Sequence, residues 1–167
     1  MMHTAEVFPA LAGRIEQVLL DAKRVAERAG MLLDKARQSG DQCYLDGVAL
    51  NLHGFYAAVE SCFEDIARTV DGALPSGKNW HQELLRQMGA ELKGVRPAVI
   101  SLPTRDCLDE YRAFRHLVRN VYTFNLRPER VAALAEEVLP CHEQVQRDVD
   151  KFKGFLIAMA EMPPDEQ

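Results

Sequence analysis

Nowhere in these 167 residues is there an unbroken apolar run of the roughly 18 needed to cross a bilayer as a helix, so no membrane span is expected. Behind Met1-Met2-His3-Thr4 there is no basic segment leading into an apolar one, and no signal peptide is expected. Cysteine is sparse and scattered: Cys43, Cys62, Cys107 and Cys141 show neither CxxC nor CxxxC spacing. Cys62, Cys107 and Cys141 fall on apolar helical faces, which predicts reduced core residues and, with them, a cytoplasmic protein. No ExxH pair suits a di-metal bundle, and no Gly-rich phosphate loop or nucleophile elbow is present. Neither metal nor cofactor is therefore expected. Alternating strand patterns, internal repeats, low-complexity tracts and long linkers are missing too. That points to one domain over residues 1–160, with 161–167 as a loose tail.

Acidic residues outnumber basic ones, and the net charge of −5 argues against a nucleic-acid binder that is basic overall. The 47% hydrophobic and 27% charged composition fits a soluble domain with a substantial core.

Helical periodicity is the dominant signal, and it recurs five times. Phe8, Leu11, Ile15, Val18, Ala22, Val25, Ala29, Leu32 and Ala36 step by three or four until Ser39-Gly40. A second segment carries two adjacent apolar rows. One is Leu45, Val48, Leu52, Phe55, Val59, Cys62 and Ile66; the other is Ala49, Tyr56, Phe63 and Val70. A face that wide belongs at the centre of a bundle. Asp71-Gly72 and Leu74-Pro75-Ser76-Gly77 end it.

A short third helix should start at Asn79, with Gln82 returning the capping hydrogen bond. It carries Leu84, Leu85, Met88 and Leu92 before Gly94 and Pro97 close it. The fourth opens with Ser101 as cap and Pro103 in the first turn, and the fifth starts at Pro128-Glu129, with a kink expected at Pro140. The sum is an all-α bundle of about five helices with antiparallel neighbours.

Local charge departs from the global balance between Tyr111 and Arg127. That stretch holds Arg112, Arg115, Arg119, Arg127 and His116, and no acid. Arginine grips phosphate bidentately, and Tyr122 and Phe124 offer faces for unpaired bases. Arg115 and Tyr122 are seven apart with Val118 between them, so Arg115 points toward the apolar side or an interface. There it needs a counter-charge, with Glu60 as one candidate. Arg112, Arg119 and Arg127 also suit solvated surface positions. Arg127 stands where a helix N-cap would ordinarily be Asp or Ser. His53, beside Gly54, reads as a packing histidine and Trp80-His81 as a lid over the bundle, while His3 and His142 look exposed.

The run from Arg115 to Tyr122 resembles the signature of HEPN-domain ribonucleases, especially the HepT-like toxins: Arg, four residues, His, one residue, Tyr. Arg115 takes the Arg position, His116 the polar position after it, and Tyr122 the Tyr position; Asn120 stands in place of the His. Val48-Ala49-Leu50-Asn51-Leu52-His53-Gly54-Phe55-Tyr56, Leu74-Pro75-Ser76-Gly77 with Trp80-His81, Gly94-Val95-Arg96-Pro97 and Tyr122-Thr123-Phe124-Asn125-Leu126 extend the resemblance in order over roughly residues 5–158.

The resemblance implies a homodimeric HEPN bundle that cleaves RNA without a metal, the 2′-hydroxyl attacking the adjacent phosphate. Arg115 would stabilise the phosphorane charge. Asn120 and His116 would orient the phosphate, and Arg112, Arg119, Arg127 and Phe124 would hold the RNA. It further implies a nucleotidyltransferase antitoxin that modifies Tyr122. Asparagine cannot exchange a proton near neutral pH, so Asn120 cannot do a histidine's acid–base work. This leaves three alternatives open: His116 substitutes for the missing histidine, cleavage survives at reduced rate on arginine and dimer geometry alone, or the bundle is non-catalytic and binds RNA, nucleotide or a nucleotidyltransferase.

Overall fold

The computed structural model describes residues 4–120 and 125–163, apart from the side chain of Asn120. Five α-helices follow one another: α1 (Thr4–Ser39), α2 (Cys43–Ile66), α3 (Trp80–Met88), α4 (Leu102–Asn120) and α5 (Pro128–Glu161). No named strand occurs among the described residues, so the chain is an all-α bundle, as its periodicity predicts. No helix among them is long and apolar enough to cross a membrane.

The two apolar rows of α2 place it centrally, against α1, α3, α4 and α5. Val48, Leu52, Phe55, Val59 and Ile66 are fully buried along one row, and Ala49, Tyr56 and Phe63 nearly so along the other. A π-helical turn, Ala67–Asp71, extends α2 until Gly72 takes the left-handed conformation at φ 65°. Gly40 does the same after α1, at φ 71°. The α1–α2 crossing is tight at Gly47, where a Cβ would come 3.0 Å from Leu32 Cδ1. At Gly54 it would meet only Val25 Cγ1, at 3.9 Å, so no close approach requires glycine there.

Two readings of α3 need correction. Asn79 occupies its N-cap but makes no side-chain capping bond, because φ −108° and ψ 20° lie outside the extended region that aims a cap at the first-turn amides. The helix also stops at Met88 rather than running on past Leu92. Arg96 explains the early stop. Its buried guanidinium donates to the carbonyls of Gln87 (3.1 Å), Ala90 (2.9 Å) and Pro97 (3.0 Å), and pairs with Asp71 at 2.5 and 2.8 Å. The carbonyl of Met88 accepts from Val99 and Ile100 instead of from a further helical turn.

Helix α4, which carries the basic run, is fixed at both flanks. Ser101 caps it: its hydroxyl accepts from the Thr104 N–H at 3.4 Å, and Asp148 of α5 accepts from the Ser101 N–H at 2.9 Å. Further along, the Tyr111 hydroxyl donates to the Leu134 carbonyl at 2.8 Å. Between these contacts Cys107 and Cys141 are joined by a disulfide, with Cα atoms 6.1 Å apart. This corrects the expectation of reduced core thiols at both positions, and the inference of a cytoplasmic compartment loses that support. Both residues do lie on apolar faces, but those faces meet where α4 crosses α5. Cys62 is buried and free as expected, its thiol pushed up to about 12 by burial, while Cys43 is free and exposed.

His142 is buried rather than exposed. Its Nε2 lies 3.0 Å from the carbonyl of Leu19, because α5 packs on α1 as well as α4 and buries a wider arc than its stripe implied.

Candidate functional site

The apolar spacing of α4 turns Tyr111 and Phe114 into the core and leaves Arg115 beside them at the boundary with solvent. An arginine there requires an anion, and α2 supplies one. Glu60 lies one helical turn after Tyr56, on the buried side of α2, with a side chain only 4% exposed. Its Oε1 accepts a hydrogen bond from Arg115 Nη1. The pairing expected from the position of Arg115 is therefore present, yet the side chain is not sealed in: it keeps 18% of its exposure and lines an open cleft. Its Nε is buried and finds no hydrogen-bond partner among the described residues.

Beside this pair opens a cleft of about 450 Å³, lined by Tyr56, Lys78, Asn79, His81, Gln82, Arg112, Arg115, His116 and Arg119. Four of these are permanent cations and none is a carboxylate; Glu60 is buried behind Arg115, and Asp109 pairs with Arg112. Three arginines one helical turn apart on α4 thus share a concavity with residues from the start of α3 and the loop before it. An anion of phosphate size entering here meets cationic donors with no carboxylate in the lining.

The surrounding groups tune the cleft in identifiable ways. Glu60 also meets His81: its Oε2 lies 2.7 Å from His81 Nδ1, so one carboxylate holds both an imidazole and a guanidinium. The Trp80 ring stacks on His81, with centroids 3.7 Å apart. Burial, reinforced by Glu60, holds the Tyr56 hydroxyl well above the usual tyrosine range, so it remains a donor. His53 lies below the ordinary histidine value because of burial and the charges of Arg115 and Arg119, with Glu60 pulling the other way. Arg112 is raised above its ordinary value, first by its hydrogen bond to Asp109 at 2.6 Å.

Of the residues singled out from sequence, the structure brings together Arg112, Arg115, His116 and Arg119. Arg127 is instead the exposed N-cap residue of α5 and is not among the cleft-lining residues. Asn120 is the last residue of α4, but its side chain lies outside the described part of the structure, as do Tyr122 and Phe124. Lys78, Gln82 and His81 enter the site from a segment that read as loop, cap and lid. Among the described residues no group of three or more His, Cys, Asp or Glu is arranged to hold a metal ion.

The described residues thus form a helical bundle with a cationic cleft backed by a buried carboxylate. Residues 47–156 match the family described as HepT-like protein, and the chain belongs to that family. The matched segment includes every residue that lines the cleft. No curated protein matches the chain, and no solved structure does.

Proposed function

We propose that this HepT-like protein is a toxin-type endoribonuclease whose cleft binds the RNA backbone. The observation that carries the reading is the convergence of Lys78, Arg112, Arg115 and Arg119 on one cleft without a lining carboxylate, in a chain of net charge −5. The reaction is transesterification. The 2′-oxygen forms a bond to the adjacent phosphorus as the bond to the 5′-oxygen breaks, leaving a 2′,3′-cyclic phosphate and a 5′-hydroxyl. Arg115 opposes the charge that builds on the non-bridging oxygens, and Glu60 keeps its guanidinium in place. Arg112 and Arg119 position the flanking phosphates. Asn120 and His116 orient the reacting group, and Arg127 and Phe124 extend the RNA contact. A second copy of the chain would pair two such clefts, and a nucleotidyltransferase antitoxin would silence the site by modifying Tyr122. An RNA substrate would place the action in the cytoplasm.

The test is cleavage of total RNA by the purified protein with and without Arg115→Ala. Loss of one preorganised charge at the phosphate should slow cleavage about 10²–10³-fold. A wild-type protein that binds but does not cut would refute it. Asn120, in place of a proton-carrying histidine, favours a second reading for that outcome: a non-catalytic bundle that holds RNA or a nucleotidyltransferase.

A further inference from the structure

Asn120 stands at the motif position whose histidine would accept a proton near neutral pH. The reaction proposed above still needs such a group, since a 2′-hydroxyl is a weak nucleophile until its proton is removed. Three histidines of α2, α3 and α4 lie in the neighbourhood of Arg115: His53, His81 and His116. His53 is half-buried and does not line the cleft. His116 lines it from α4, but follows Arg115 directly and so projects about 100° away around the helix.

His81 is placed differently. It enters from the first turn of α3, lines the same cleft as Arg115, and keeps 26% of its side chain exposed. Its Nδ1 is held at 2.7 Å by Glu60 Oε2, and its ring plane is set by the stacked Trp80. Glu60 accepts from Arg115 through its other oxygen, so the imidazole and the guanidinium have their positions fixed by one buried anchor. A carboxylate only accepts hydrogen bonds, so the neutral ring must place its proton on Nδ1 and its lone pair on Nε2. This is the arrangement in which a carboxylate fixes a histidine's tautomer and steadies the imidazolium once it forms.

We propose that His81 is the proton-transfer residue of this site, with Glu60 as its positioning residue, in place of the histidine missing at position 120. The inference rests on the ribonuclease reading. His81 Nε2 takes the proton from the 2′-hydroxyl as the 2′-oxygen bonds to phosphorus. The departing 5′-oxygen takes a proton from water, and the resulting hydroxide removes the proton from the imidazolium, so each proton is accounted for. The charged and titratable groups around His81 are Glu60 and Tyr56 of α2, Lys78 of the preceding loop, and Arg112 with its partner Asp109, Arg115, His116 and Arg119 of α4.

The experiment follows cleavage of a fluorescent mixed-sequence RNA oligonucleotide against pH for the wild type, His81→Gln and His116→Gln. It also measures binding of the uncleavable 2′-O-methyl form by anisotropy. Wild-type cleavage should level off at higher pH and decline on acidification, an acid limb below a plateau. His81→Gln should lose about 10²–10⁴-fold in rate, the usual worth of a positioned acid–base group. It should also lose this limb-and-plateau shape, its residual rate rising with hydroxide across the whole range without levelling off, while binding the 2′-O-methyl RNA within about twofold of wild type. The limb should persist in His116→Gln at whatever rate that variant retains. The inference is overturned if His81→Gln keeps the acid limb or most of its rate, or if it loses rate and binding together, which would mark a structural role. It falls as well if the limb vanishes in His116→Gln. A wild-type protein that never cleaves overturns the ribonuclease reading along with it.

Discussion

Glu60→Gln removes the only buried anion found behind the cleft among the described residues, while keeping nearly the same side-chain volume. The glutamine oxygen can still accept one hydrogen bond, but the charge that offsets Arg115 is gone. Removing one partner of a fully buried ion pair costs about 3–5 kcal/mol, because the other charge is left desolvated and alone. Here Glu60 is 4% exposed but Arg115 retains 18% exposure and borders an open cleft. Water can therefore reach part of the Arg115 side chain, and the expected loss falls to about 2–3 kcal/mol. For a chain of this length each kcal/mol moves the midpoint by about 2–4 °C, so the melting temperature should fall by about 4–12 °C.

The assay is urea unfolding followed by circular dichroism, with the denaturant slope compared to confirm that the same surface is exposed. Two further variants separate pairing from packing. Arg115→Met alone leaves Glu60 bonded to His81 and should cost less than Glu60→Gln. Combined, the two should cost less than the sum of the singles by at least about 1 kcal/mol, since the lone charge no longer exists. If Glu60→Gln stays within about 0.5 kcal/mol of wild type, or if the two changes simply add, Glu60 does not offset Arg115 and the account of the site's anchor is wrong.

Arg96→Ala should be the most damaging single change in the loop between α3 and α4. Its partner Asp71 and its own side chain are 1% and 0% exposed, so the uncovered carboxylate should cost about 3–5 kcal/mol by the same unfolding assay. Thiol titration of denatured, unreduced protein should find two reactive cysteines, Cys43 and Cys62, and four after reduction; four before reduction would refute the α4–α5 disulfide. With a sequence separation of 34, chain-entropy reasoning puts the loss on reduction at up to about 4 kcal/mol. Asp65 is held below the usual aspartate range, first by its hydrogen bond from Arg14 at 2.7 Å. Its contribution is therefore fully present above the unfolded aspartate pKa and lost as pH falls through the lower, folded one. Because the pair is largely solvent-exposed, Asp65→Asn should flatten the acid side of the stability–pH curve by less than about 1 kcal/mol.

The helices and the centre of the bundle were legible because helical burial is a local, repeating signal. Two heptad rows on α2 leave few options except a central position, and the structure puts Phe55, Tyr56, Val59 and Phe63 in the core. The Arg115–Glu60 pair was legible for a different reason. An arginine aligned with Val118 cannot remain desolvated without an anion, so the pattern of one helix demanded a residue on another. What could not be read were the features set by how helices cross. Cys107 and Cys141 each look like an ordinary apolar-face residue until α4 and α5 are laid together. His142 looks like the polar margin of a stripe until α1 covers it with the Leu19 carbonyl.

His81 was hidden by a local rule that fitted too well. Asn79-x-x-Gln82 is a sensible capping box, so the segment read as the start of a helix with Trp80-His81 as a lid over the bundle. In the folded chain the Asn79 side chain makes no capping bond, and both Asn79 and Gln82 line the cleft with His81 between them. A motif scan confined to α4 finds the cations and His116, which projects about 100° away from Arg115, and stops there. The basic run explains how a polyanion would be held, but proton transfer needs a group whose charge can change, and on α4 the motif position for it is Asn120. The buried side of α2 carries Glu60, and Glu60 has two oxygens: one faces the arginine and the other faces the imidazole from α3. A carboxylate shared in this way serves a guanidinium and a histidine that were fixed by different helices, which is why neither helix alone discloses the site.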